Sequence, residues 1–157
     1  MNKKGFTLIE LIAVVVIMAI IALIATPNIV NMMDKGKKED YVADAKEIIS
    51  KATYMYKLEK YKNKFDSDNS DKIYLKNING IDDDFKDPYG FSYDKGKSYV
   101  EFVEPTGSLG ERTVTINLIS INQDGNACYQ IYNVNKNSLN VNAVKQGTWD
   151  GTKCEPK

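Results

Sequence analysis

The stretch that decides the fold is Lys3–Pro27, which reads KKGFTLIELIAVVVIMAIIALIATP in a chain of 157 residues. Residues 11–25 form a run of fifteen without a polar side chain. A helix over 6–26 would measure about 31 Å, enough to cross the hydrocarbon core of a membrane. Because two lysines precede this segment, we expect its N-terminal end to stay on the cytoplasmic side and the rest of the chain to be exported.

Three kinds of segment share this composition: a cleaved secretory signal, a plain membrane anchor, and a helix that anchors first and assembles later. A secretory signal needs small residues at its cut, whereas cleavage after Ala25 would leave the bulky Leu23 near the site. A plain anchor leaves Glu10 unexplained, because a carboxylate inside the bilayer is disfavoured by about 3 kcal/mol. We therefore expect a positive group to compensate Glu10, the alternative being that it lies at the interfacial edge.

The residues Lys4-Gly5-Phe6-Thr7-Leu8-Ile9-Glu10, followed by the apolar run, resemble the class III signal of the type IV pilin and pseudopilin superfamily. The resemblance implies that a prepilin peptidase cuts between Gly5 and Phe6 and then methylates the new amino group of Phe6. Because this cut precedes the apolar run, the mature protein would keep its hydrophobic helix. The family's glutamate corresponds to Glu10 and its helix-bending proline to Pro27.

The predicted cut gives Glu10 a physical role. The new amine of Phe6 would lie one helical turn from Glu10, on the same side of the helix. In a bundle of staggered helices, the amine of an incoming subunit can meet Glu10 of a neighbour. Such a charge pair is attractive in a low dielectric, but desolvation cancels much of its net stability, so its best use is to set register.

The resemblance also implies partners and locations. Assembly would need the prepilin peptidase, an inner-membrane platform and a cytoplasmic assembly ATPase. The chain would be a single-pass cell-membrane protein before assembly and part of an extracellular filament of identical or related subunits afterwards. Head-to-tail repetition that does not close produces such a fibre rather than a ring.

The helix is expected to continue beyond the membrane. Pro27 removes a backbone donor and crowds the carbonyl of Leu23, so we expect a kink or local melting there. Apolar residues at steps of three and four then predict an amphipathic helix that fades near Lys64. Its buried stripe is predicted to contain Val42, Ala45, Ile48, Ile49, Ala52, Met55 and Tyr56. Its outer face is predicted to carry Lys35, Lys37, Lys38, Glu39, Asp40, Asp44, Lys46 and Glu47.

The remaining sequence predicts a loop followed by antiparallel strands. Residues 65–87 are acidic and irregular, and the tail 145–157 is expected to be irregular too. Strands are predicted over 91–93, 99–103, 113–122 and 127–134, with turns at 94–97 and 123–126 and an edge strand over 138–144. The predicted fold class is α+β, one long N-terminal helix packed on an antiparallel sheet of about four strands. The predicted parts are a leader (1–5), a hydrophobic transmembrane and assembly helix (6–26), an amphipathic helix half (27–64) and a globular head (65–157).

Two cysteines fall in the predicted exported part, where disulfides can form. A bond between Cys128 and Cys154 would enclose 25 residues and stabilise the fold by about 3 kcal/mol through loop entropy. Many pilins resemble this arrangement, with a disulfide bounding a variable C-terminal region. The alternative is a pair of free thiols.

Two patterns in the sequence resemble a metal site and a nucleic-acid site. The acidic run Asp66–Asp71 lacks the glycine and the final glutamate of a calcium loop, so we interpret it as a solvated loop and predict no metal or cofactor. Tyr54, Tyr56 and Tyr61 alternate with lysines, as in single-strand nucleic-acid sites. A packed helix with a solvated face explains that pattern better, while DNA binding by an assembled fibre stays an alternative, since repetition multiplies weak sites.

The predicted function is structural rather than enzymatic. Histidine is absent, which excludes histidine triads and histidine general bases. We expect a pilin of a filament used for adhesion, motility or surface interaction. One alternative is a pseudopilin of type II secretion or DNA uptake, to which Asp87-Pro88-Tyr89-Gly90 is similar, since major pseudopilins often carry such a turn. The other is a membrane-tethered binding domain that never polymerises.

Overall fold

A computed structural model describes residues 7–58, 72–103 and 112–156. One helix, α1, spans Leu8–Lys57 and continues through Pro27 without interruption, so the local melting expected there is not seen. It ends seven residues before the predicted limit at Lys64, and residues 59–71 lie outside the described part. Contacts divide the chain into two compact units, Met1–Gly36 and Lys37–Lys157. The second half of α1 therefore belongs to the same unit as the strands.

The described residues of the second unit contain seven strands in one antiparallel sheet. In chain order they are β1 (Lys72–Tyr74), β2 (Ser92–Tyr93), β3 (Tyr99–Val103), β4 (Thr113–Ile121), β5 (Ala127–Asn135), β6 (Lys145–Trp149) and β7 (Cys154–Pro156). Their order across the sheet is β1-β3-β4-β5-β6-β7, and β2 pairs with β4. The fold is α+β as predicted, with more strands than the four expected.

The core forms where the apolar stripe of α1 meets one face of the sheet. The stripe is buried as predicted, except that Tyr56 is only half-buried, and Tyr41, which the pattern did not single out, is fully buried. On the sheet, alternation along β4 turns Ile116 and Leu118 into this core, and Ile131 of β5 joins them. Asn117 and Ile119 consequently belong to the opposite face of the sheet.

Three segment predictions were wrong. The region expected to be an acidic loop contains β1, which pairs with β3, and the tail expected to be irregular forms β6 and β7. The edge strand expected over 138–144 is replaced by 3-10 turns at Lys136–Ser138 and Val141–Ala143. The side chains of Asn135 and Asn140 accept hydrogen bonds from the backbone N–H two residues on, which favours turns over strand pairing.

The turn predicted at 94–97 is present, but the strands beside it, β2 and β3, do not pair with each other as the strands of a hairpin would. Both β2 and β3 pair with β4, at Ser120–Ile121 and Thr113–Asn117 respectively, so they form one interrupted row beside β4. The residues between them bulge out of this row. Ser98 closes the bulge, because its hydroxyl accepts a hydrogen bond from Ile119 N–H and donates to the Ile119 carbonyl.

The C-terminal edge of the sheet folds tightly against β6. A Cβ atom placed on Gly147 would lie 2.3 Å from the Glu155 carbonyl oxygen and 2.9 Å from Cys154 Sγ. Gln130 of β5 donates a hydrogen bond from Nε2 to the Cys154 carbonyl at 3.0 Å. The absence of a side chain at position 147 is therefore what lets β7 approach this closely.

Gly147→Ala should lower the free energy of unfolding of the head by about 2 kcal/mol, because the methyl group must displace backbone atoms of β7. Chemical denaturation followed by the fluorescence of Trp149, the single tryptophan, measures this. Gly96→Ala is the matched control, since its new Cβ would meet only the Asp94 Oδ1 atom at 3.5 Å. Equal effects of the two substitutions would contradict the steric argument.

Candidate functional sites: the N-terminal segment and the head

The N-terminal part of α1 has an apolar surface on all sides. Within residues 7–33 every residue is exposed in the isolated chain except Ala25, which is half-buried. An 18-residue window of α1 reaches a mean hydropathy of 3.1, so the helix is long and apolar enough to cross a membrane. A helix that is hydrophobic all round is stable only when lipid or other helices cover it.

Glu10 closes the start of this helix. Thr7 is the cap residue: its backbone N–H and its hydroxyl both donate to Glu10 Oε2 at 2.8 Å. In return Glu10 N–H donates to Thr7 Oγ1 at 3.4 Å, and Leu11 N–H donates to the Thr7 carbonyl at 3.2 Å. This reciprocal arrangement is a capping box. The Thr-x-x-Glu spacing in the sequence is the signal of this cap, which was not predicted.

The capping box gives Glu10 a partner within its own chain before any neighbour arrives. One carboxylate oxygen, Oε2, accepts both bonds from Thr7. The cleavage residues Gly5 and Phe6 lie outside the described residues, so the processing site and the amine expected to reach Glu10 remain predictions.

Near Pro27, side chains bond to the backbone of the preceding turn. Thr26 Oγ1 donates to the Ala22 carbonyl at 2.7 Å, and Asn28 Nδ2 donates to the Ile24 carbonyl at 3.4 Å. Side chains that bond back to the preceding turn often bend helices. A bend at Pro27 stays a prediction.

In the head, α1 is tied to the sheet through buried polar groups. Tyr93 of β2 donates its hydroxyl proton to Asp44 Oδ2 at 2.8 Å, and Tyr41 donates to the Tyr129 carbonyl at 3.2 Å. Asp44 was expected on the solvated face, but it is half-buried beside the sheet. The tyrosine rings of Tyr41 and Tyr93 also contact each other, with centroids 5.6 Å apart.

Asp87 organises the turn that the sequence related to pseudopilins. Its Oδ1 atom accepts from Tyr89 N–H at 2.9 Å and Phe91 N–H at 2.7 Å, while Oδ2 accepts from the Ser120 hydroxyl at 2.5 Å. Gly90 adopts a positive φ of 83° in this turn. The motif thus has a structural explanation: the buried Asp87 carboxylate accepts hydrogen bonds from backbone N–H groups of its own turn and anchors the turn to β4.

Both carboxylates titrate at higher pH than usual. Burial, opposed by the Tyr93 hydrogen bond, raises the pKa of Asp44 above its ordinary value. Burial likewise raises the pKa of Asp87, against the opposing bonds from Ser120 and the turn backbone. A raised folded-state pKa means that the folded chain binds protons more readily than the unfolded chain.

Acidification from pH 7 towards 4 should therefore raise the stability of wild type relative to Asp44→Asn and to Asp87→Asn. The gain arises as pH falls through the raised pKa values and ends near the ordinary aspartate pKa of 3.8. Neither amide titrates, so the loss of an acceptor oxygen adds only a constant offset and the pH dependence of the difference isolates ionisation. Denaturation curves at several pH values test this, and a stability difference that stays constant or grows with pH would contradict it.

The two cysteines form a disulfide that joins β5 to β7. Cys128 and Cys154 are bonded at 2.06 Å, with their Cα atoms 6.0 Å apart. They pack with Ile119, Ile121 and Trp149 into a small second cluster on the face of the sheet opposite α1. The disulfide therefore fastens the C-terminal edge to the centre of the sheet.

The tyrosine–lysine pattern is divided by the fold. Tyr54 is exposed, whereas Tyr56 stacks on Phe102 with ring centroids 4.3 Å apart and lies beneath Arg112. Tyr61 and the acidic run Asp66–Asp71 lie outside the described residues. Within 7–58, 72–103 and 112–156, no group of three or more histidine, cysteine or acidic side chains is arranged to hold a metal ion.

Comparison with known proteins gives one family match, at the N-terminus. Residues 1–26 match the family model of the prokaryotic N-terminal methylation motif. Neither the search of curated proteins nor that of solved structures found a match. Together with the long apolar N-terminal helix, the motif fits a type IV pilin or pseudopilin.

Proposed function

We propose that this chain is a type IV pilin, a structural subunit rather than an enzyme. It is cleaved after Gly5 by a prepilin peptidase, methylated on Phe6 and polymerised into an extracellular filament for adhesion, motility or surface contact. The observation that carries the proposal is the match to the methylation motif over residues 1–26. The matched residues include the first part of α1, where the helix surface is apolar and exposed.

The physical basis of assembly is an exchange of surroundings. The apolar segment of α1 first contacts lipid and then contacts the equivalent helices of sister subunits. Since lipid tails and apolar side chains are similar solvents, the exchange itself changes the hydrophobic free energy little. Specificity must then come from polar groups, and Glu10 is the one ionisable group among residues 7–33.

Fractionation of the native host tests where the chain ends up. We expect it in filaments sheared from the cell surface, and we expect deletion of the prepilin peptidase or the assembly ATPase to return it to the membrane fraction. A chain found only in short periplasmic assemblies would identify a pseudopilin instead. A chain that stays in the membrane in wild-type cells, at its unprocessed mass, would identify a static tether and overturn the proposal.

A further inference from the structure

A cavity of about 620 Å³ opens on the face of the sheet opposite α1. Its walls come from β4, β5, β6 and the hairpin that joins β6 to β7. This volume lies in the range of small-molecule sites. All of the lining residues belong to the head.

The hairpin wall of the cavity is held in place by hydrogen bonds. Asp150 Oδ1 accepts from the backbone N–H of Thr152 at 2.7 Å and of Lys153 at 2.8 Å. Lys97 Nζ donates to the Thr152 carbonyl at 3.0 Å and lies over the Trp149 ring. The disulfide fixes the other end of this wall at Cys154. A wall constrained in this way is pre-formed, which reduces the entropy cost of binding.

The lining combines an exposed aromatic ring with apolar walls. Tyr132 is 68% exposed, the highest value among the large apolar side chains of the described head residues. Ile119, Val134 and Pro156 supply apolar surface beside it. An aromatic face of this kind offers stacking area to the C–H face of a sugar ring.

Polar groups converge on the same space. The Asn117 and Gln130 amides line it, each anchored by a hydrogen bond from its own nitrogen to a backbone carbonyl. Thr152 adds a hydroxyl. Fixed amides and a hydroxyl among apolar walls are the groups that orient a hydroxylated ligand.

The charge of the lining is positive. Lys145 and Lys153 line the cavity, and none of the described lining residues is acidic. Lys153 Nζ forms an ion pair with Glu155 Oε1 at 2.8 Å, whereas Lys145 forms no ion pair with any described carboxylate. Lys145 is therefore the cation most available to an anionic ligand.

We propose that this cavity binds a carboxylate-bearing sugar, such as a uronic acid unit of a polysaccharide. A neutral sugar would leave Lys145 without an anion, and an aliphatic acid would offer the amides no hydroxyl groups. A sugar acid can contact the ring, the amides and Lys145 together. The inference does not depend on polymerisation, because every lining residue belongs to one subunit.

Titration of the isotope-labelled full chain in detergent micelles tests the proposal. Glucuronate and glucose are the probes, since they share a ring and differ in the carboxylate. We expect glucuronate to shift the amide signals of the lining residues with a Kd in the millimolar range, and glucose to bind about tenfold more weakly. Absence of shifts at the lining residues, or equal binding of the two sugars, would overturn the proposal.

Matched variants separate the site from general surface effects. Lys145→Gln should remove the preference for glucuronate, and Tyr132→Ala should weaken binding of both sugars about tenfold. Lys86→Gln alters an exposed lysine elsewhere in the head, and Tyr54→Ala alters a tyrosine of similar exposure, 66%, on α1. These two controls should bind as wild type does, and an equal loss in the controls would contradict the assignment.

Discussion

A Glu10→Ala chain will insert into the membrane but will not accumulate in filaments. Removing the carboxylate makes the segment more apolar, so insertion is not impaired. Assembly would lose the charge that we propose pairs with the amine of Phe6 in a neighbouring subunit. Truncating one partner of a buried charge pair costs about 2–5 kcal/mol, which predicts more than a tenfold loss of filament. Immunoblotting of sheared filaments and of membranes from the native host measures both steps.

The capping box makes this prediction sharper, because Glu10 has two separable roles. Glu10→Gln keeps an acceptor that can reach Thr7, since glutamine also serves in capping boxes, but it loses the charge. Thr7→Ala keeps the charge and loses the cap, at a cost of about 1 kcal/mol to the helix. If charge sets the register, Glu10→Gln fails as Glu10→Ala does, and Thr7→Ala still assembles.

The opposite pattern would contradict the charge account. Normal filaments from Glu10→Gln, together with a loss in Thr7→Ala, would mean that Glu10 acts by closing its own helix. Thr7→Ser is the control for the second variant, because serine restores a capping hydroxyl. It should behave as wild type under either account, so a loss in Thr7→Ser would point to damage unrelated to capping.

Loss of the disulfide is the second large expected effect. Cys128→Ala/Cys154→Ala should lower the free energy of unfolding of the head by about 3 kcal/mol, since the bond closes a long loop in the unfolded chain. The disulfide also holds β7 close to Gly147 of β6, and its two cysteines belong to the small hydrophobic cluster around Ile119. Trp149 packs in that cluster, and its fluorescence reports unfolding directly.

Reduction of the wild-type chain provides the matched comparison. A reductant should bring wild type close to the stability of the double variant and should leave the variant unchanged. If reduction changes the free energy of unfolding of wild type by less than about 0.5 kcal/mol, the effect of an ordinary surface substitution, the disulfide does not stabilise the C-terminal edge of the sheet.

The helix was well predicted because its signals are local. An unbroken apolar run and a stripe at steps of three and four identify α1 and the face that carries Val42, Ala45 and Ile49 into the core. The outer limit at Lys57 was missed because apolar spacing fades gradually and element ends are its least certain feature. Asp44 was wrongly assigned to the solvated face, because the sequence does not show that the Tyr93 hydroxyl donates a hydrogen bond to its carboxylate.

The sheet was predicted less completely because strand pairing depends on distant residues. Leu139 and Val144 are both buried, as their apolar character suggests, but the asparagines between and before them fold the segment into turns. The tail contains Gly147 and Pro156, which discourage a strand assignment from sequence alone. Only the close approach of Glu155 and the disulfide shows why a glycine belongs in β6.

The cavity that we propose binds a sugar acid could not be predicted from the sequence. Asn117, Tyr132 and Lys145 lie on three strands and share no motif. Their convergence follows from the pairing of β4 with β5 and of β5 with β6. By contrast, the Thr7–Glu10 cap was readable, because its spacing is fixed within one turn of helix.

The proposed function requires that the chain is cleaved after Gly5, at the N-terminal end of its apolar helix, and then assembles into filaments. Intact-mass and N-terminal analysis of the chain purified from native surface filaments tests it most directly. We expect Met1–Gly5 to be missing and the chain to start at Phe6 with one methyl group on its amine. A chain that still begins at Met1, or that begins at Phe6 without the methyl group, would contradict it.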